Sequence, residues 1–305
     1  MSKSTISTFQ LFKMYPDQEA ARKYLEGLLW KNGQAVCPSC KSAERITTRK
    51  GGYYRCNACV LTFTIRTGTI FERSHVELHK WLYAMYLLVT SRKGISSMQL
   101  AKEIGITQKS AWFVLQRLRE ACGNDPTMLQ GIVEADEAYF GGLERNKHGN
   151  KKLRAGRGTV GKAAVVGLRE RGGRTKAKMV DSVDANTLQT YIHENVAPGS
   201  SLCTDEATGY QGLGITFEHA TVNHGAREYV RGAVSTNSIE SVWAVMKRGM
   251  HGVYHHASKK HLARYVDEFT FRLNDGDVKQ HTLTRLDSFV RATVGRRITY
   301  AELTA

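Results

Sequence analysis

Proline is scarce, at 4 in 305 residues, and acids are outnumbered, with 28 Asp and Glu against 44 Lys and Arg. With so little proline and 41% hydrophobic residues, the chain is neither a low-complexity nor a proline-rich disordered one, so folded domains are expected. Long apolar runs are missing too. The longest stretch, around Trp81 to Val89, falls well short of the roughly 20 residues that span a bilayer. The opening MSKSTISTFQ also lacks a secretory hydrophobic region. These absences lead to the expectation of a cytoplasmic protein with no membrane partner.

The shortage of acids leaves a formal net charge of +16. Such an excess attracts phosphate backbones through counterion release, and it suits DNA-binding, ribosomal and RNA-processing proteins alike. Cysteine is sparse as well, but its distribution is informative. Cys122 and Cys203 are isolated, whereas Cys37, Cys40, Cys56 and Cys59 form CPSC and CNAC knuckles with fifteen residues between them. In a chain without a secretion signal, paired CxxC knuckles point to metal more than to disulfides. Four thiolates close a tetrahedron around Zn2+ and leave no open position, so the expected role is structural.

Pattern changes along the chain predict its organisation. Residues 1–34 read as an N-terminal helical segment and 35–70 as the zinc ribbon, a unit too poor in apolar bulk to fold without a staple. Helical periodicity governs 71–123. There Leu100, Ala101 and Ile104 precede a turn at Gly105, and a second helix begins after the cap Thr107. This resembles a helix-turn-helix, which would offer Gln108, Lys109 and Ser110 to a major groove, with Gln116, Arg117 and Arg119 toward the DNA backbone. An ordinary helical hairpin with a solvated basic face is the alternative. From 127 to 275 strands (IVEADEAYF, KAAVVGLRE, TKAKMVDSV, SLCTD) mix with helices near 185–195, 237–249 and 258–274, an α/β layered domain with a basic loop over 142–161. Residues 276–305 read as a C-terminal tail.

Acids stand out at three places in this α/β region. On the strand IVEADEAYF, alternation puts Glu134 and Asp136 on one face and Val133, Ala135 and Tyr139 on the other. Charges on a largely apolar strand are costly unless they bind metal or partners. Asp205 ends SLCTD, where it could point into a cleft or simply cap the next helix. In TNSIESVWAVMKRG, Glu240 and Lys247 lie two helical turns apart along one edge of an apolar stripe, where an acid can reach a metal and a lysine a phosphate. Carboxylates gathered from strand, strand and helix can hold two Mg2+ or Mn2+ ions for phosphodiester exchange. His219, His224, His255, His256 and His261 could bind phosphate or simply pack.

These blocks, together with FTIRTGTIFE, VEADEAYFGG, LCTDEATGY and TNSIESVWAVMKRGMHGVYHH, resemble bacterial insertion-sequence DDE transposases of the zinc-ribbon group related to eukaryotic Merlin elements. The resemblance runs nearly the whole length. It implies an RNase H-like catalytic domain and DNA cleavage and strand transfer at terminal inverted repeats. It also implies a metal triad of Asp136, Asp205 and Glu240 with Lys247 downstream, Asn237 being the alternative third position. The implied partners are double-stranded DNA and further copies of the chain on that DNA, in a bacterial cytoplasm at the nucleoid. A catalytically inactive DNA-binding regulator and a zinc-ribbon RNA nuclease are the rival readings.

Overall fold

A computed structural model describes residues 5–123, 125–142, 146, 148–153, 158–226, 228, 230–275 and 280–305. The chain divides into two compact units, 1–123 with 275–305, and 124–274. Among the described residues no helix is long and apolar enough to cross a membrane.

The first unit opens with α1 (Thr8–Met14) and α2 (Gln18–Leu29), the latter capped by Asp17, which accepts from the Ala20 amide at 2.8 Å. A three-stranded antiparallel ribbon follows, β1 (Ile46–Arg49), β2 (Tyr53–Cys56) and β3 (Thr62–Phe63). It has little core of its own and leans on α2. The Tyr54 and Phe63 rings stack at 5.7 Å, Trp30 meets them edge-on at 4.9 and 6.3 Å, and the Tyr54 hydroxyl donates to Glu26 at 2.9 Å.

Helix α3 (Leu78–Thr90) buries residues on every side, as a central helix must. It is followed by α4 (Ser97–Ile104) and α5 (Gln108–Cys122). Between them Gly105 takes φ +63°, ψ +48°, a left-handed conformation that glycine adopts without a Cβ penalty, and the Thr107 hydroxyl accepts from the Ser110 amide. The segment expected as a tail is helical. In it α9 (Thr282–Arg291) buries Leu286, Phe289 and Val290 against α2 and α3, and α10 (Tyr300–Thr304) carries a capping box between Thr299 and Glu302. Residues 276–279 lie outside the described ones.

The second unit is built on a mixed sheet. β4 (Ile132–Phe140), β5 (Ala163–Glu170) and β6 (Thr175–Val180) form an antiparallel meander; β7 (Ser201–Thr204) pairs parallel to β4 and β8 (Glu218–Thr221) parallel to β7, giving the order β6-β5-β4-β7-β8. This is an RNase H-like arrangement. Helix α6 (Ala185–Asn195) covers one face through Leu188, Tyr191 and Ile192. After a short hairpin, β9 (Val230–Arg231) with β10 (Val234–Ser235), helices α7 (Asn237–Gly249) and α8 (Lys259–Asp275) cover the other face through Ile239, Trp243, Met246 and Phe269. The basic loop expected over 142–161 falls partly outside the described residues.

Candidate metal centre and active site

The four clustered cysteines meet. All their sulfurs lie within 4.8 Å of one another, with Cys37 to Cys59 and Cys40 to Cys56 both at 3.5 Å. A disulfide needs about 2.05 Å, whereas a zinc tetrahedron with Zn–S bonds of about 2.3 Å has edges of ~3.8 Å. The geometry therefore fits zinc and rules out cross-linked thiols. The pairing also crosses the two knuckles, so one ion would tie the 37–40 turn to the end of β2.

The acids are placed by strand register. β4 and β7 run parallel with Glu134 opposite Cys203, so two residues further along each strand Asp136 and Asp205 come side by side, just past the end of β7. Carboxyl ends of parallel strands are where α/β sheets open their clefts. Helix α7 completes the site. A cavity of about 430 Å³ is lined by Asp136, Glu137, Asp205, Glu240, Trp243, Ala244 and Lys247. On α7 these are positions i, i+3, i+4 and i+7, one face of a helix. Asn237 is exposed at the first turn of α7 and stands outside this lining. Asp205 also uses one oxygen to accept from the Ala207 amide at 3.0 Å, a local turn contact and not a helix cap, since the helical turn Thr208–Tyr210 that follows starts from Ala207 without a side-chain cap bond.

Four carboxylates and one lysine share this space, and the electrostatics reflect it. Burial pushes Asp136 up to about 6, and the charges of Asp205 and Glu240 add to the shift. Glu137 rises to about 7, again chiefly through burial, with Asp136 and Asp205 contributing and a 2.6 Å hydrogen bond from Tyr210 opposing. Such crowding favours a cation among the oxygens. Oxygen donors of this kind suit Mg2+ or Mn2+. Among the described residues only the cysteines converge to within 4.8 Å.

Several neighbours to which sequence reasoning gave no role, or a different one, shape the site. Trp243 donates from Nε1 to Asp136 Oδ2 at 3.0 Å. Its ring can approach only because Gly167 lies opposite Asp136 across β5; a Cβ there would sit 2.4 Å from the ring. Glu137, alternating away from Asp136 on the strand, reaches the cavity because β7 stops short of it. Glu134 shares Asp136's face but serves a different end. Fully buried, it accepts from the Ser238 and Ile239 amides at 2.8 and 3.0 Å and pairs with Arg171 at 2.8 Å, so it anchors the positive N-terminus of α7. Small residues within apolar strand runs and an arginine just past the end of β5 were the available signals.

In the helix-turn-helix, Gln108 and Lys109 are exposed and Ser110 is half-buried at the N-terminus of α5. Arg117 is not on that surface. It is 5% exposed and donates to the Ile70 and Glu72 carbonyls at 2.8 and 2.9 Å, stacked on Phe113. Gln116 and Arg119 are buried with it. Helix α5 packs against α4 and α3, and Arg117 and Arg119 are buried in the unit's interior instead of facing a phosphate backbone. Of the histidines, His219 meets Thr204 Oγ1 at 2.9 Å, His255 and His256 are exposed, and His261 is half-buried. The His224 side chain lies outside the described residues.

Comparison with known proteins agrees with this layout. Residues 128–274 match the ISXO2-like transposase domain, and residues 16–62 match the transposase zinc-ribbon domain. An uncharacterized protein in transposable element ISH50 of Halobacterium salinarum is 30% identical over 276 residues, 85% of this chain and 92% of that protein. Among solved structures, the Mos1 strand transfer complex aligns over 72% of this chain and 79% of that one, at 14% identity and TM-score 0.31. A pre-cleavage Mos1 transpososome aligns over 72% and 80%, at 12% identity and TM-score 0.28. A transposase zinc ribbon followed by a transposase domain of the DDE type defines the class of the protein, a DDE-type transposase. The chain belongs to the ISXO2-like transposase family.

Proposed function

We propose that this protein binds the terminal inverted repeats of its element and catalyses metal-dependent DNA cleavage and strand transfer. The convergence of Asp136, Asp205 and Glu240 on one cavity, with Lys247 at its edge, carries the reading. Two Mg2+ or Mn2+ ions held by these carboxylates would activate the attacking oxygen and stabilise the leaving one. Asp136 is oriented for this by Trp243, Asp205 is fixed by the turn after β7, and Lys247 would hold a phosphate oxygen. Gln108, Lys109 and Ser110 would meet the DNA ends at a major groove, while zinc at Cys37, Cys40, Cys56 and Cys59 would keep the ribbon folded. One acid site per chain and two ends per element argue for a homo-oligomer on DNA.

Duplexes carrying the inverted repeats that flank the gene, incubated with target DNA and magnesium, test the reading. Glu240→Gln should abolish strand transfer, by at least about 10³-fold as for loss of a charge-stabilising group, with end binding retained; Asn237→Ala should be milder. If Glu240→Gln stays active while Asn237→Ala is dead, the triad needs reassignment. A wild-type protein that binds ends but never cuts them would establish the inactive regulator instead.

A further inference from the structure

A second, larger cavity of about 780 Å³ lies beside the acid site, and Lys247 lines both. Its walls bring together Lys162 just before β5, Lys247 on α7 and Lys259 at the start of α8. His251, His255 and His256 join them, and no Asp or Glu occurs among the described lining residues. In a protein whose acids collect in the adjoining cavity, this segregation by charge makes one pocket for cations and the next for anions.

The backbone around the histidines is unusual. Helix α7 runs into a π-helical turn, Met250–Tyr254, and His255 follows at φ +58°, ψ −40°. Turns of this kind are rare and cluster at functional sites, and a non-glycine residue at positive φ persists only where its surroundings hold it. Tyr254 does the holding. Its hydroxyl donates to the buried Glu268 at 2.7 Å, and its ring meets Tyr265 and Phe269 edge-on at 4.9 and 6.0 Å. The three histidines are thus fixed in place yet exposed. The lining also includes Gly141 and Gly142, and among the described residues a Cβ at Gly142 would meet nothing within 4 Å, which leaves room beside the main chain there.

We infer that this groove is a binding subsite for the phosphodiester backbone of a single nucleic-acid strand that continues past the acid cavity. Cations and imidazoles on the walls of one cleft suit one backbone threaded between them, and exposed main chain on the glycine wall adds room for phosphate oxygens. The inference rests on the strand-transfer reading of the neighbouring acids.

The test uses the full chain and a short oligothymidine, with affinity followed by fluorescence anisotropy over a range of salt. Lys162→Ala combined with His256→Ala should weaken binding about tenfold, the loss expected for a charge-assisted contact. The plot of log affinity against log salt should become shallower by about 0.7 for each phosphate that is no longer neutralised. Lys162→Arg should restore the lysine's share, which a folding defect would not allow. Unchanged affinity and slope in the double variant would overturn the subsite. So would a variant that loses inorganic phosphate binding but keeps the oligonucleotide, since the groove would then serve free phosphate. Failure of the catalytic reading is seen separately: Glu240→Gln would still transfer strands, whatever the groove variants do to binding.

Discussion

The N-terminal unit gathers four thiolates and the second unit gathers four carboxylates, and the two clusters are built to opposite ends. The sulfurs come within 4.8 Å of each other around a point that a single ion would fill, in a ribbon whose other support includes the Trp30 ring at the end of α2 and the hydrogen bond from Tyr54 to Glu26. The carboxylates sit around a cavity of about 430 Å³ on a sheet and helices that already have two apolar cores. Zinc in the first place would contribute folding energy, while a divalent cation in the second would relieve the charge repulsion among the acids. The same element type, a cluster of anionic ligands, is a structural staple where the core is small and a chemical site where the core is large.

Removing one ligand from the closed site should have the largest consequence. Cys56→Ser should drop zinc from one equivalent to less than about half and melt the ribbon, because binding free energies of about 10–16 kcal/mol underlie structural zinc sites. Elemental analysis and amide exchange over residues 36–63 check it. An intact ribbon at low zinc content would mean that Trp30, Tyr54 and Phe63 suffice, and the staple argument would fail.

A second test sets two acids of one strand against each other. Glu134 is sealed, hydrogen-bonded to two amides and paired with Arg171, whose side chain is still 34% exposed. Glu134→Gln should cost about 3 kcal/mol, the lower end for breaking a buried pair because Arg171 keeps some water. Asp136 carries a charge that burial and its neighbours disfavour. Asp136→Asn should therefore leave the magnesium-free protein as stable or more so, while ending strand transfer. Urea unfolding of both variants decides it; equal losses would show that Glu134 and Asp136 are not divided into anchor and active group.

Much of this was legible in advance for a physical reason: long periodic elements and closely spaced ligands leave local signals. The cysteine knuckles, the turn at Gly105 with its cap at Thr107, and the helix from Asn237 to Gly249 were each readable from spacing alone. Strands β8 to β10 were not, being two to four residues long and largely polar. The helix at 282–291 carried a readable stripe of Leu283, Leu286 and Val290, which the expectation of a tail overlooked. Arg117 was misplaced because a charged residue on a basic helix is usually solvated; only the carbonyls of Ile70 and Glu72, far off in sequence, explain its burial. Glu137 and Gly167 depend on where β7 ends and on how Trp243 crosses β5, and these tertiary facts leave no trace in local pattern.

The smallest expected effect concerns the edge of the sheet that carries Asp205. His219 on β8 lies 2.9 Å from Thr204 Oγ1, and that hydroxyl donates to the Asp205 carbonyl at 2.7 Å. The hydroxyl proton being used, His219 must donate from Nε2, a tautomer that both its neutral and its charged form supply. What separates the two forms is burial, which holds the imidazole below its ordinary value. Above about pH 6.5, the unfolded value, both states are neutral and the full stability is present. As pH falls the unfolded chain takes up the proton first, so stability is lost until the folded imidazole charges as well. Glu137 and Asp136 work in the opposite sense, their raised values favouring the folded state as pH drops through about 7 and about 6. The wild-type profile therefore mixes all three, and the difference between wild type and His219→Gln isolates the histidine. That difference should be no more than about 2–4 °C in melting temperature, the shift produced by 1 kcal/mol in a domain of about 150–250 residues. It should grow from zero at about pH 7 toward pH 5. A difference that is flat with pH would remove His219 from the titration and leave the edge strand held by its backbone pairing alone.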